Sequence, residues 1–333
     1  MNLNINGSNS LEQLAFQLSK DLKRQQNNVF QPQYIVTQTL GMNNWLKIKM
    51  AENLGIVANC KFLKPNDLVN EIYYRLNTNN KQALSAESLK WVLFSLLITK
   101  DFQDQFRKIS NYYANDDVKR MALAEKVADL FDQYQIYRTE MVRDWNENRL
   151  FFDINNDWQK YLWIKAKEVL GDNMPDKTVI GRYIIEALKQ PELRKKLIAQ
   201  IPNIHVFGLS IITAYHLRIF YELSRVISVT FHLLNPAPGI YWFEDKSEKQ
   251  IALWRKKSKM KLSASDLQST GNPLLTGWGR VLQDTFGLFF ENDVFLNQYN
   301  DLDAKEPLPE TLLGKIQNDI FNNNDPANRN EIT

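Results

Sequence analysis

Two carboxylates, Asp129 and Asp132, lie three residues apart in the run Ala128-Asp-Leu-Phe-Asp-Gln-Tyr-Gln-Ile-Tyr-Arg138. On a helix that spacing makes them neighbours, as general acid–base or metal-assisted chemistry would require. No third ligand or histidine adjoins them, and the chain offers no carboxylate and lysine set with the spacing of a nuclease centre. The competing reading is structural: Leu130, Phe131 and Tyr134 pack, and the polar members face solvent or a partner. A second candidate is Asn6-Gly-Ser-Asn-Ser10, placed between a strand and a helix where a phosphate-binding loop would sit. Such a loop needs glycines for close backbone approach, a lysine for the phosphates and Ser or Thr for magnesium, yet Gly-Lys-Ser/Thr occurs nowhere. Ile204-His-Val-Phe-Gly-Leu-Ser210 takes the place of the strand whose terminal Asp would hold magnesium, and Gly208 and Leu209 stand there instead. Two losses at two required places point to a nucleotide site without its chemistry. A short capped turn is expected at Asn6–Ser10.

The remaining candidates are sparse. One cysteine, Cys60, excludes an intrachain disulfide, and with only His205, His216 and His232 beside it a Cys/His zinc cluster is not expected. His205 alternates with strand residues and is read as structural. Arg255, Lys256, Lys257, Lys259 and Lys261 could neutralise phosphates, although a short basic run is more often a solvated loop. Tyr241 and Trp242 could stack on bases, although an aromatic strand end is usually core. Neither a metal nor a cofactor is expected.

The elements that must position these residues follow from periodicity. Leu3 and Ile5 alternate with Asn, then Leu11, Leu14, Ala15, Leu18 and Leu22 recur at helical spacing after Ser10, a suitable N-cap. Residues 34–38 form a second β-rich run, and Met42, Trp45, Leu46, Met50 and Leu54 mark one face of the next helix. From about residue 65 to 200 the β signal disappears and amphipathic helical stretches follow one another without a fixed repeat period. The β/α pattern then resumes, with strands over 204–207 and 226–234, a helix over 214–224, another from about 273 to 290, and a short one over 312–321. An α/β half, a helical insertion and a resumed α/β half make one split domain with another inside it: 1–75, 76–200 and 201–321, with 322–333 as a linker.

Composition sets the class. The 333 residues are 44% hydrophobic and 24% charged, which excludes a collagen-like or disordered chain, and the length suits two domains. A formal net charge of +3 is too small to announce nucleic-acid binding by itself, so any basic surface must be local. The N-terminus has neither a basic region nor an apolar core of the secretory kind, and no run of about 18 uncharged apolar residues occurs, so a cytoplasmic protein is expected.

Five stretches, in order across nearly the whole chain, resemble the N-terminal third of the exodeoxyribonuclease V gamma-subunit family, the RecC family. They are Gln38-Thr-Leu-Gly-Met-Asn-Asn-Trp-Leu46, Gly55-Ile-Val-Ala-Asn59, Ala128-Asp-Leu-Phe-Asp-Gln-Tyr134 with Tyr137-Arg138, Phe207-Gly-Leu-Ser210, and Asn272-Pro-Leu-Leu-Thr-Gly-Trp-Gly279. The resemblance implies a RecA-like, superfamily-one helicase-like parallel-sheet domain with degenerate ATPase motifs, interrupted by a large all-helical insertion. It further implies a non-catalytic, DNA-binding scaffold subunit of a heterotrimeric helicase–nuclease in recombinational repair. Such a subunit sits between RecB-like and RecD-like motor subunits and passes the unwound 3′-ended single-stranded DNA while scanning it for a Chi-like sequence.

Positions matching residues associated with scanning in that family are Gln38, Asp129, Leu130, Asp132, Arg138 and Arg182. Gln38 can pair with base edges, Arg138 and Arg182 can contact phosphate or guanine, and the carboxylates can accept from exocyclic amines or steady the arginines. Leu40, Asn44, Lys64 and Asn70 depart from the best-known family pattern of Thr, Gln, Leu and Trp. A tunnel with a different preferred sequence is therefore expected. The alternative is a scaffold that docks motor subunits without touching DNA.

Overall fold

The computed structural model describes residues 2–325 apart from 26–27, 29, 79–80, 148–156, 248, 253–269 and 292. The basic run 255–261 lies outside the described residues. The chain forms two compact units: Met1–Pro65, Ile198–Ile212 and Leu223–Thr333 make one, and Asn66–Leu197 with Thr213–Glu222 the other.

The first unit is built on a sheet. Its strands are β1 (Leu3–Ser8), β2 (Gln33–Val36), β3 (Cys60–Leu63), β4 (Asn203–Phe207), β5 (Ser228–Leu234) and β6 (Tyr299–Asp301). Among the described residues they form one sheet in the order β3-β2-β4-β5-β1-β6, every neighbouring pair parallel. Every residue of β2 and β4 is buried, the signature of strands covered on both faces. Helices α1 (Leu11–Gln25) and α2 (Leu40–Leu54) contribute to one core cluster, in which Leu14, Leu18, Leu22, Leu46 and Met50 join Ile35 and Phe207. Burying each such side chain contributes about 1.5–3 kcal/mol. Ser10 Oγ accepts from the Gln13 N–H at 3.3 Å and Thr39 Oγ1 from the Met42 N–H at 3.2 Å, so both helices begin on hydroxyl caps.

Three features of this unit differ from the sequence reading. The first strand does not end at Ile5 but continues through Asn6-Gly7-Ser8, paired with β5 as far as Ser8 opposite Leu234. Gly7 is set by its other neighbour, because a Cβ there would stand 2.0 Å from the Tyr299 hydroxyl oxygen on β6. The strands β3 and β6, of four and three residues, are too short to be read from alternation. The helix expected over 273–290 is two, Pro273–Trp278 and Arg280–Phe290, parted at Gly279, whose added Cβ would lie 2.4 Å from the Leu275 carbonyl oxygen. Trp242 is core, as read, and its Nε1–H donates to Asn235 Oδ1 at 3.1 Å, whereas Tyr241 is exposed and neither residue lies in a strand.

The second unit is helical: α3 (Pro65–Leu76), α4 (Ala86–Leu96), α5 (Lys100–Gln105), α6 (Arg107–Tyr113), α7 (Asp117–Tyr137), α8 (Thr139–Asn146), α9 (Asp157–Leu170), α10 (Lys177–Ala187) and α11 (Pro191–Gln200), joined by most of α12 (Ala214–Ser224). Leu89, Leu93, Phe102, Val127, Phe131, Trp145, Leu162 and Trp163 form its core. The buried positions Ala124, Val127, Ala128, Phe131 and Gln135 of α7 follow the helical repeat and leave its other face to solvent. No described helix is long and apolar enough to cross a membrane.

Candidate nucleic-acid interface

The helical unit carries five of the six singled-out residues, on α7, at its end, and on α10. Asp116 starts α7 by accepting from the Val118 and Lys119 N–H groups at 3.0 and 3.1 Å, and Asp176 starts α10 by accepting from Thr178 and Val179 at 3.0 and 3.3 Å. Asp176 does more than cap. Its fully buried carboxylate also pairs with Lys167 Nζ at 3.2 Å and accepts from Asn146 Nδ2 at 3.1 Å, while Asn146 Oδ1 accepts from Trp163 Nε1 at 2.9 Å. Three helices, or their ends, are thereby fixed around one carboxylate.

Lys177 is the second hub. Its Nζ pairs with Asp132, its N–H donates to Gln135 Oε1 at 2.9 Å, and its carbonyl accepts from the Tyr215 hydroxyl at 2.8 Å. Burial and the Asp176 carboxylate push the Tyr215 phenol well above its ordinary pKa. A Cβ on Gly181 would stand 2.9 Å from the Tyr215 ring, so this glycine lets α10 approach α12 and places Arg182 beside that contact. His216 is buried next to Tyr215, its Nε2 2.8 Å from Asn66 Oδ1 and its Nδ1 2.9 Å from Thr213 Oγ1. Burial first, and then the Lys177 charge, hold its pKa down at about 4, so the ring is neutral at pH 7.

The singled-out residues divide into a committed and an available set. Asp132 is half-buried and bound to Lys177, and Leu130 is half-buried on α7. Asp129 is exposed, without an ion pair among the described residues. Arg138 ends α7 and begins α8; it is exposed, with its guanidinium 5.1 Å over the Tyr134 ring. Arg182 is exposed and reaches Glu147 only at 3.9 Å, a contact worth little in water. Arg182 also lines an open cleft of about 430 Å³ with Arg143 and Arg218, faced by Glu140 and Glu186. Three arginines against two glutamates leave the lining one net positive charge, with Arg143 paired to Glu140 at 3.4 Å. Gln135, Asp176, Lys177 and Tyr215 position this surface and were not reached from the sequence; the one available signal was the Asp-Lys-Thr start of an amphipathic helix.

Gln38 belongs to the sheet unit. It is exposed just beyond β2, and its Oε1 accepts from Ser210 Oγ at 3.1 Å just beyond β4. Thr285 Oγ1 donates to the Ser210 carbonyl at 2.8 Å and holds that loop. Adjacent strands β2 and β4 continue to opposite sides, to β3 and to β5, so Gln38 and Ser210 bridge the carboxyl ends of two strands at a topological switch point. Leu40, Asn44 and Lys64 are exposed in the same unit, whereas Asn70 is half-buried on α3 in the helical unit.

The family model described as RecC, N-terminal domain, matches residues 3–323. The chain is 26% identical to the RecBCD enzyme subunit RecC of Escherichia coli (strain K12), over 96% of its own length and 30% of the relative's. It is 24% identical to the Haemophilus influenzae subunit of the same name, over 90% of this chain and 31% of that protein, and 22% identical to the Mycolicibacterium smegmatis one, over 87% and 25%. It therefore spans about a third or less of the relatives it matches. With the match running through both units, from β1 to the end of the last described helix, the chain belongs to the RecC N-terminal domain family.

Proposed function

We propose that this chain is the DNA-handling part of a RecC-like subunit in a RecBCD-type helicase–nuclease, with RecB-like and RecD-like partners. It guides an unwound 3′-ended single strand and scans it for a Chi-like sequence in recombinational repair. The observation that carries the reading is the exposed cationic surface of the helical unit, where Arg182 joins Arg143 and Arg218 around an open cleft. Arginines there supply sequence-independent affinity for phosphate, and Gln38, Asp129 and Arg138 add groups able to read base edges. Leu40, exposed beside Gln38, offers an apolar contact that favours a preferred sequence different from that of the best-known relatives.

The sheet unit is read as a RecA-like domain that does not turn over ATP. Ser8 Oγ already accepts from the Ser10 N–H at 3.1 Å, in the segment that would otherwise cradle phosphates, and the buried Leu209 stands where a magnesium-holding carboxylate would be needed. The test is fluorescence anisotropy of a labelled single-stranded oligonucleotide at low and high salt. Binding that weakens with salt and in Arg138→Ala or Arg182→Ala supports the reading; binding insensitive to all three removes it.

A second reading, docking of motor subunits without DNA contact, is favoured by Leu308, Leu312 and Leu313, which are all 63% exposed or more. Pull-down of the motor subunits by a chain that binds no oligonucleotide at low salt would select it.

A further inference from the structure

We propose that Asp21, His205 and His232 form a binding site for one divalent transition-metal ion inside the sheet unit. Parallel pairing sets His205 opposite Thr230 and Phe207 opposite His232, so the two histidines are offset by two residues and project from the same face of the sheet. Their rings stack at 5.6 Å between centroids with 27° between planes, and His205 Nδ1 lies 3.3 Å from His232 Nε2. Helix α1 supplies Asp21 and Gln25 to the same place. One ligand atom each from Asp21, His205 and His232 all lie within 4.8 Å of one another.

The geometry accommodates a shared cation as well as a ring-to-ring hydrogen bond. The 3.3 Å nitrogen separation is at the long limit for N–H···N. It matches the roughly 3.3–3.4 Å edge of a tetrahedron whose nitrogens stand about 2.0–2.1 Å from zinc. Gln25 Oε1 lies 3.0 Å from His205 Nε2, and an amide oxygen can only accept. The His205 proton is thereby assigned to Nε2, and the Nδ1 lone pair faces His232, the tautomer that a metal ligand with an outer hydrogen-bond partner adopts.

The electrostatics agree with this reading. Both imidazoles are fully buried, so a nitrogen left without a partner there has no water to turn to and a cation would supply one. Asp21 has one oxygen steadied by Gln17 Nε2 at 2.9 Å, a hydrogen bond of the kind that orients a ligating carboxylate. Two imidazoles and one carboxylate suit zinc, cobalt or nickel better than calcium or magnesium, and they leave a coordination position for water. The site involves neither the nucleic-acid surface nor the only cysteine.

The test is titration of the chelator-stripped 333-residue chain with cobalt(II) and with zinc, followed by absorption, calorimetry and thermal unfolding. One ion per chain is expected, with cobalt d–d bands but no sulfur-to-cobalt band, and a melting temperature that rises with zinc concentration. Asp21→Asn and His232→Gln should each weaken binding at least about tenfold and Gln25→Leu by about that factor or more, with Cys60→Ser leaving it unchanged. Absence of binding overturns the proposal, as does binding untouched by Asp21→Asn or lost in Cys60→Ser. Should His232→Gln fail to fold, the half-buried Asp21→Asn decides.

Discussion

The two units place their polar side chains in opposite ways. The helical unit keeps Arg138, Arg182 and Asp129 at its surface, while the sheet unit draws His205 and His232 into its interior between strands and α1. A helix that packs one stripe leaves the rest of its circumference free, so recognition groups can vary there at little cost to folding. A central strand covered on both faces has no free side, and each polar group it carries must find a partner inside. Charge available to a ligand is therefore expected on the helical unit, and buried chemistry in the sheet unit. Asp176 and Lys177 are instructive exceptions, since the helical unit buries them to fix the surface that its arginines occupy.

Substitutions rank by how far they disturb these arrangements. Asp176→Ala removes a helix cap, the Lys167 ion pair and the Asn146 bond together, and should cost about 3–5 kcal/mol in urea unfolding. Asp129→Ala, on the exposed face of the same unit, should fall within about 0.5 kcal/mol. Equal losses at the two sites would break the contrast between buried support and free surface.

The next effect is one of pH. His216 titrates near 6.5 when unfolded and at about 4 when folded, so between those values the unfolded chain binds the extra proton. Its contribution is present above pH 6.5 and is lost as pH falls toward 4, by about 3 kcal/mol in all. Unfolding of the helical unit followed from pH 7 to pH 4 should show this decline, and His216→Gln should flatten it. Gly7→Ala comes next, at about 1–3 kcal/mol, because Tyr299 has to yield to the new methyl group.

The smallest effects sharpen the comparison most. Arg182→Ala should leave stability within about 0.5 kcal/mol yet lower the salt slope of single-strand binding by about one. Gln38→Ala, which removes a hydrogen-bonding group and no charge, should leave that slope unchanged. A shift in slope for Gln38→Ala would mean that the sheet unit's loop, too, is organised around phosphate.

Much of the architecture is legible in periodicity. The helix and strand expected over 214–224 and 226–234 appear as Ala214–Ser224 and Ser228–Leu234, because long apolar patterns settle element type. The strands β3 and β6 are not legible, since Cys-Lys-Phe-Leu and Tyr-Asn-Asp carry too little alternation and are strands only because β2 and β1 offer them an edge. Of the candidate interface, Arg138 and Arg182 could be named from motif resemblance. Lys177 could not, because its contacts with Asp132, Gln135 and Tyr215 span 45, 42 and 38 residues.

By itself the sequence determined the succession of helices and strands, the family and the lack of a phosphate-loop motif, all of which rest on local pattern and residue identity. Only the tertiary structure decided that Asp132 is bound to a lysine, that Gln38 meets Ser210, and that three histidines counted as too few for a zinc cluster include two that converge on Asp21. The physical reason is distance along the chain. Sheet register and helix docking join residues whose relation no local spacing encodes, and a count of ligands does not reveal which of them the fold will bring together.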